Sequence, residues 1–292
     1  MTGFLELSFD LGTLDAAAAE EACLACGASA VTFVDAADEP VLEPLPGELR
    51  LWRSTQLRAL FSAELSPADL VGSLSALLGL DPARLQLRQV ADRAWEREWL
   101  RDFHAMRFGE RLWICPHHES VSDPKAVVVA LDPGLAFGTG THASTALCLE
   151  WLDAHLRPGA RVIDYGCGSG VLGIAAARLG AAAVHSFDID PQALLATREN
   201  AAANGVGERL HVHATAATLP RDCDLILANI LAGTLNALAP AFAAWLAVGG
   251  ELVLAGILAD EVAEVTAAYA ACFDVCRFGG RDGWAGLFGR RR

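Results

Sequence analysis

The chain has 292 residues, with 22 Lys and Arg against 36 Asp and Glu, for a net charge of −14. That balance excludes sequence-independent nucleic-acid binding, which needs basic groups to neutralise phosphates, and 53% hydrophobic residues exclude a disordered chain. No apolar run reaches the roughly 18–20 residues that span a bilayer, and the start MTGFLELSFD has no basic stretch of the kind that opens a secretory signal, so a cytoplasmic globular protein without a membrane partner is expected.

The acid excess is uneven. Residues 1–49 hold ten carboxylates and no Lys or Arg, the first base being Arg50. Such a face is either a well-solvated surface or a docking face for a basic partner. Within it, FLELSFD (4–10) alternates with period two, Leu14 to Cys26 reads as an Ala-rich helix stopped by Gly27, and SAVTFVD (29–35) is again strand-like. Pro40, Pro44, Pro46 and Gly47 mark a loop. LRLWRS and QLRALFSAEL follow as strands, Ser66 caps a helix that begins at Pro67 and runs to about Leu80, and LQLRQV (85–90) closes the set. This β-α-β-β-α-β order predicts a ferredoxin-like α+β domain over 1–90.

Trp95, Trp99 and Phe103 recur every four residues, which predicts an amphipathic linker helix within a connecting segment, 91–125. RLWICP (111–116) and AVVVALDP (126–133) read as strands. From about residue 141, helices alternate with the strands RVIDYG, AVHSFDID, LHVHA, CDLILANI and GELVLAGI, with weaker ones at 273–279 and 284–289. That rhythm predicts an α/β domain over 126–292, a Rossmann-like doubly wound parallel sheet. The eight cysteines include Cys23-x-x-Cys26, but no second pair stands at zinc-like spacing. They read as small buried hydrophobes, and no metal is expected.

The strongest chemical signal is Val162-Ile163-Asp164-Tyr165-Gly166-Cys167-Gly168-Ser169-Gly170, an apolar strand entering a glycine-rich turn before a helix. Glycines let backbone approach a ligand, and the helix start offers free N–H groups. Residues 168–173 match the dinucleotide fingerprint G-x-G-x-x-G of an NAD-dependent oxidoreductase. Asp164 to Gly170 equally matches the D-x-G-x-G-x-G loop of class I S-adenosylmethionine-dependent methyltransferases. Asp164 tips the balance, because a carboxylate there repels a pyrophosphate but suits a cofactor carrying an ammonium and a sulfonium. Asp188, at the end of the next strand, is placed to accept ribose hydroxyls, and Asp190 to cap the helix opened by Pro191. Asn229 ends the fourth strand, either turning carbonyl groups to a substrate nitrogen or shaping a turn. Asn-Ile-Leu-Ala lacks the aromatic ring that would pack on a planar amide or base, which favours a flexible amine. In DPGLAFGTGTHAST (132–145), Thr145 faces a cofactor from a first helical turn, and His142 either accepts a proton or binds a carboxylate, or is a structural residue at the helix start.

DPGLAFGTGTHAST (132–145), VIDYGCGSGVLGIAA (162–176), DIDPQAL (188–194) and ANILAG (228–233) together resemble the ribosomal protein L11 methyltransferases (PrmA), as do EPLPGELRLW, WEREW and FGERLWICP outside the catalytic part. The resemblance implies an N-terminal substrate-recognition domain, a linker helix and a class I methyltransferase domain. It also implies methylation of the α-amine and lysine ε-amines of ribosomal protein L11, and a monomer is expected. Thr145, Gly166, Asp188 and Asn229 would contact S-adenosylmethionine, with Asp164 and Gly168 in the same loop site. Ala143-Ser144 departs from the Pro-Thr common in that family, as does the terminal FGRRR.

Overall fold

A computed structural model describes residues 3–37, 51–90, 103–132 and 142–292. Contacts divide the chain into two units, Met1–Trp95 and Glu96–Arg292.

In the first unit the elements are β1 (Phe4–Asp10), α1 (Ala16–Ala25), β2 (Ala30–Asp35), β3 (Thr55–Ser62), α2 (Pro67–Leu78) and β4 (Gln86–Val90). The sheet order is β2-β3-β1-β4, with every pairing antiparallel. That is the ferredoxin-like arrangement, and the period-two pattern dictates it. Leu5, Leu7 and Phe9 on β1 and Leu57, Ala59 and Phe61 on β3 turn inward against Ala19 and Cys23 of α1 and Leu70 and Leu74 of α2. Ser66 caps α2 through the Asp69 amide at 3.5 Å, with Pro67 in the first turn and Gly79 left-handed at the end. Leu51 and Trp52 lie outside any strand; Thr55 begins β3 and its hydroxyl donates to Trp52 O at 2.7 Å, ending a turn where a separate strand was expected. The loop glycine and prolines at 40–47, and Trp95 and Trp99 of the expected linker helix, lie outside the described residues.

The second unit opens with a three-stranded sheet, β5 (Met106–Phe108), β6 (Leu112–Cys115) and β7 (Val127–Ala130), in which β6 and β7 run parallel. β5 carries too short an apolar pattern to stand out in the sequence. Asp153, on α3 (Ala143–His155), fastens this sheet by accepting from the Glu110 and Arg111 amides at 2.5 and 3.1 Å. There follow β8 (Arg161–Tyr165), α4 (Val171–Arg178), β9 (Ala183–Phe187), α5 (Pro191–Ala203), β10 (Leu210–His213) and β11 (Cys223–Asn229). The chain closes with α6 (Ala232–Trp245), β12 (Leu246–Leu258), α7 (Val262–Tyr269), β13 (Phe273–Arg281) and β14 (Trp284–Arg291).

These strands form a sheet in the order β10-β9-β8-β11-β12-β14-β13. The five strands from β10 to β12 are parallel, and the central ones, β8 and β11, are buried on both faces, as their near-continuous apolar runs require. One core holds α3 and α4 against Val162, Leu227 and Val253; the other holds α6 and α7 against Ile163, Ile226 and Leu254. The sheet is mixed rather than wholly parallel, because β14 pairs antiparallel with both β12 and β13. The cause is local. Arg281 pairs with Trp284 across Asp282-Gly283, whose φ values of 50° and 83° make the two-residue turn that Asp-Gly favours. Strand order reverses at β8, which places a ligand crevice at the carboxyl ends of β8, β9 and β11.

Candidate active site

β8 is drawn into the sheet by Val162 and Ile163, fully buried on opposite faces, and delivers the chain into the turn Gly166–Gly170. Gly166, Gly168 and Gly170 sit at φ of 75°, 53° and 82°, a conformation that side chains resist. Space demands glycine as well: a Cβ on Gly166 would run into Ile230 Cγ2, and one on Gly170 would lie 2.9 Å from Thr197. The turn is stitched to β9. The Gly166 and Cys167 amides donate to Phe187 O at 2.8 and 3.0 Å, and the Gly168 amide donates to Asp188 Oδ2 at 2.9 Å.

Asp188 is half-buried. Its Oδ1 accepts from the Asp190 amide at 3.0 Å, and each carboxylate oxygen keeps a further lone pair for a hydroxyl. Next to it Ile189 presents an apolar side chain that is 89% exposed. Asp190 caps α5 through the Gln192 amide at 2.9 Å. The turn is then held from behind by α5, in contacts that sequence reasoning missed. Thr197 Oγ1 donates to Gly168 O at 3.0 Å, and Asn200 Nδ2 donates to Ser169 O at 2.9 Å. Asn204 clamps β7, accepting from Ala130 N at 2.8 Å and donating to Ala130 O at 2.7 Å. Positions 197, 200 and 204 share one helix face, and three polar residues on a stripe otherwise due for core were the available signal.

Asp164 differs from its expected placement against a ligand. Its carboxyl is 1% exposed, beneath the turn, and accepts from the Gly173 amide at 2.9 Å. Burial pushes this carboxyl up to about 7, with the Asp188 charge adding to the rise and the Gly173 N–H opposing it. Gly173 is glycine because a Cβ would stand 2.8 Å from Asp164 Oδ2. Asp164 therefore supports the turn and the start of α4 from below.

On the other side of the crevice, Asn229 Nδ2 donates to Thr145 Oγ1 at 3.0 Å, joining the end of β11 to the first turn of α3. Thr145 is buried and Asn229 half-buried. The following backbone is held close by Gly256, at φ 76°, where a Cβ would come within 2.5 Å of Ile230 O. Ile230 in turn lies against Gly166, so the Asn229–Thr145 pair and the glycine turn meet through one residue. His142 is the N-cap of α3: Nδ1 accepts from the Ser144 amide at 3.3 Å and lies 2.7 Å from Ser144 Oγ. The edge of its ring system meets Trp284 at 4.8 Å between centroids and 69° between planes. Of the two readings of His142, the geometry supplies the structural one. The preceding part of its motif, 133–141, lies outside the described residues.

The chain is similar to known proteins over nearly its whole length. Residues 3–292 match the family described as ribosomal protein L11 methyltransferase (PrmA). The ribosomal protein L11 methyltransferase of Erwinia tasmaniensis is 48% identical over 280 residues, covering 93% of this chain and 94% of that one. That of Pseudomonas aeruginosa is 48% identical over 274 residues, covering 94% and 93%. A crystal structure of the ribosomal protein L11 methylase from Lactobacillus delbrueckii subsp. bulgaricus superposes with a TM-score of 0.60 and 32% identity, over 65% of this chain and 100% of that one. With that identity held over nearly its whole length, the chain belongs to the ribosomal protein L11 methyltransferase family.

Proposed function

We propose that this chain transfers methyl groups from S-adenosylmethionine to ribosomal protein L11, at its α-amine and at lysine ε-amines. The observation that carries the reading is the Asn229–Thr145 pair set against the glycine turn at the carboxyl ends of β11 and β8. The residues fit the cofactor: Asp188 offers two acceptor oxygens to ribose hydroxyls, exposed Ile189 offers an apolar platform, and the turn at Gly166 and Gly168 lets backbone approach closely. Bound there, the cofactor supplies an activated methyl group on a sulfonium.

The protein's own part is positioning. A lysine amine, with its usual pKa of about 10.4, must lose its proton before it can accept a methyl group. Ile230 and the 48%-exposed Leu231 give the approach to Asn229 an apolar lining that disfavours the charged ammonium. With Nδ2 committed to Thr145, Asn229 turns Oδ1 to the amine and orients its lone pair. His142 Nδ1 is engaged in the helix cap, so His142 acts on α3 rather than as a base. Asp164 serves the cofactor through the turn above it. We place substrate recognition in residues 1–90, whose acidity suits a basic ribosomal protein, and catalysis in the second unit. No helix among the described residues is long and apolar enough to cross a membrane.

Incubation with methyl-labelled S-adenosylmethionine and purified L11 tests the reading. Label on the α-amine and on lysines is the expected result; label absent from L11 overturns it.

A further inference from the structure

We infer that Trp284 is a positioning residue for methyl transfer, acting through His142 on the Thr145–Asn229 pair. The inference rests on the reading of that pair as part of the cofactor site. Trp284 opens β14 with its backbone fixed on both sides: it pairs with Leu258 of β12 and with Arg281 of β13 across the Asp282-Gly283 turn. Its half-buried ring meets His142 edge to face at 4.8 Å.

His142 needs such a neighbour. Helix N-caps favour Ser, Thr, Asp and Asn, whose short side chains have few orientations, whereas an imidazole turns about a broad χ2 well. Only one orientation of the ring puts Nδ1 on the Ser144 amide and hydroxyl. Trp284 holds the ring in that orientation. Thr145, three residues on from His142, then sits where Oγ1 accepts from Asn229, 84 residues away. The series Trp284, His142, Ser144, Thr145 and Asn229 thus ties the antiparallel hairpin, which plays no part in the glycine turn, to the strand end that faces the substrate.

The test is a double-mutant cycle on the full chain, read as affinity for S-adenosylmethionine by calorimetry. Trp284→Ala and His142→Ala should each weaken binding about two- to tenfold, the range of an aromatic pair. The double variant should be no weaker than the weaker single one, because both changes release the same cap. Trp284→Phe should restore most of the affinity. If Trp284→Ala does not fold, Trp284→Leu takes its place, keeping apolar bulk without the ring. Losses that multiply, a Phe variant as weak as the Ala one, or a Trp284→Ala or Trp284→Leu variant within twofold of the wild type would each overturn the inference. A wild-type chain that binds no S-adenosylmethionine would instead overturn the reading on which it rests.

Discussion

Asn229 donates one Nδ2 hydrogen to Thr145, and its Oδ1 is the acceptor proposed to orient the amine. Asn229→Ala removes that acceptor and releases Thr145. We expect turnover on L11 to fall by about 10²-fold, as when one preorganised polar group is lost, with a smaller loss of cofactor affinity. Steady-state kinetics alongside calorimetry separates the two, and full turnover in the variant would remove Asn229 from the mechanism.

Two titratable groups, buried Asp164 and half-buried His185, set opposite pH slopes on stability. Asp164 is raised to about 7, so between its unfolded value near 3.8 and 7 the folded chain binds more protons than the unfolded one. Its contribution is present at pH 4 and lost by pH 7. His185 on β9 is lowered to about 4, by burial first and then by His213, His211 and Arg161. Here the unfolded chain binds more protons between pH 4 and 6.5, so this contribution is present at pH 7 and lost by pH 4. Asp164→Asn should therefore gain stability relative to the wild type as pH rises from 4 to 7, by of order 4 kcal/mol at 1.36 kcal/mol per pKa unit. His185→Gln should gain relative to the wild type as pH falls through 6.5. Urea denaturation at pH 4.5 and 7.5 reads both differences, and a pH-independent difference for either variant removes that group from the account.

Among the elements, α5 links more of the site than its sequence announced. Asn204 satisfies both backbone groups of Ala130 from one amide, and Asn204→Ala would leave an N–H and a C=O unpaired near the core. The expected cost is about 2–4 kcal/mol, read as a lower urea midpoint with an unchanged slope. Recovery of wild-type stability would mean that water takes over both bonds. The contrast with the glycine turn shows what a sequence can carry. The turn, Asp188 and the Asp190 cap were legible because each needs only a short stretch with its own local signature, glycine at positive φ or a capping carboxylate before proline. The α5 contacts were not, because Thr197, Asn200 and Asn204 find partners 29 to 74 residues away and only the fold brings them together. The same applies to Trp284 on His142, and to the antiparallel setting of β14, although its Asp282-Gly283 turn stands plainly in the sequence. Asp164 was legible as a motif position but not as a buried support, since burial depends on how α4 lands on β8.

For the chain as a whole, the charge is unevenly placed. Residues 1–49 carry ten acids and no base, whereas residues 126–292 carry only five more acids than bases. On α1, Glu20 and Glu21 are exposed, and neither caps the helix, a task that Asp15 performs. Exposed charges of this kind contribute little to stability but add to a field that draws in an oppositely charged partner. A ribosomal protein that offers lysines is such a partner. Glu20→Gln with Glu21→Gln should therefore leave the melting temperature and S-adenosylmethionine affinity unchanged while raising KM for L11. The rise should be about two- to fivefold near 0.05 M salt and should vanish near 0.5 M, where the Debye length falls to roughly 4 Å. The salt dependence is the decisive measurement. A KM increase that persists at high salt would mean the glutamates make direct contacts with L11, and an unchanged KM at low salt would mean that this acidic helix is only a solvated surface.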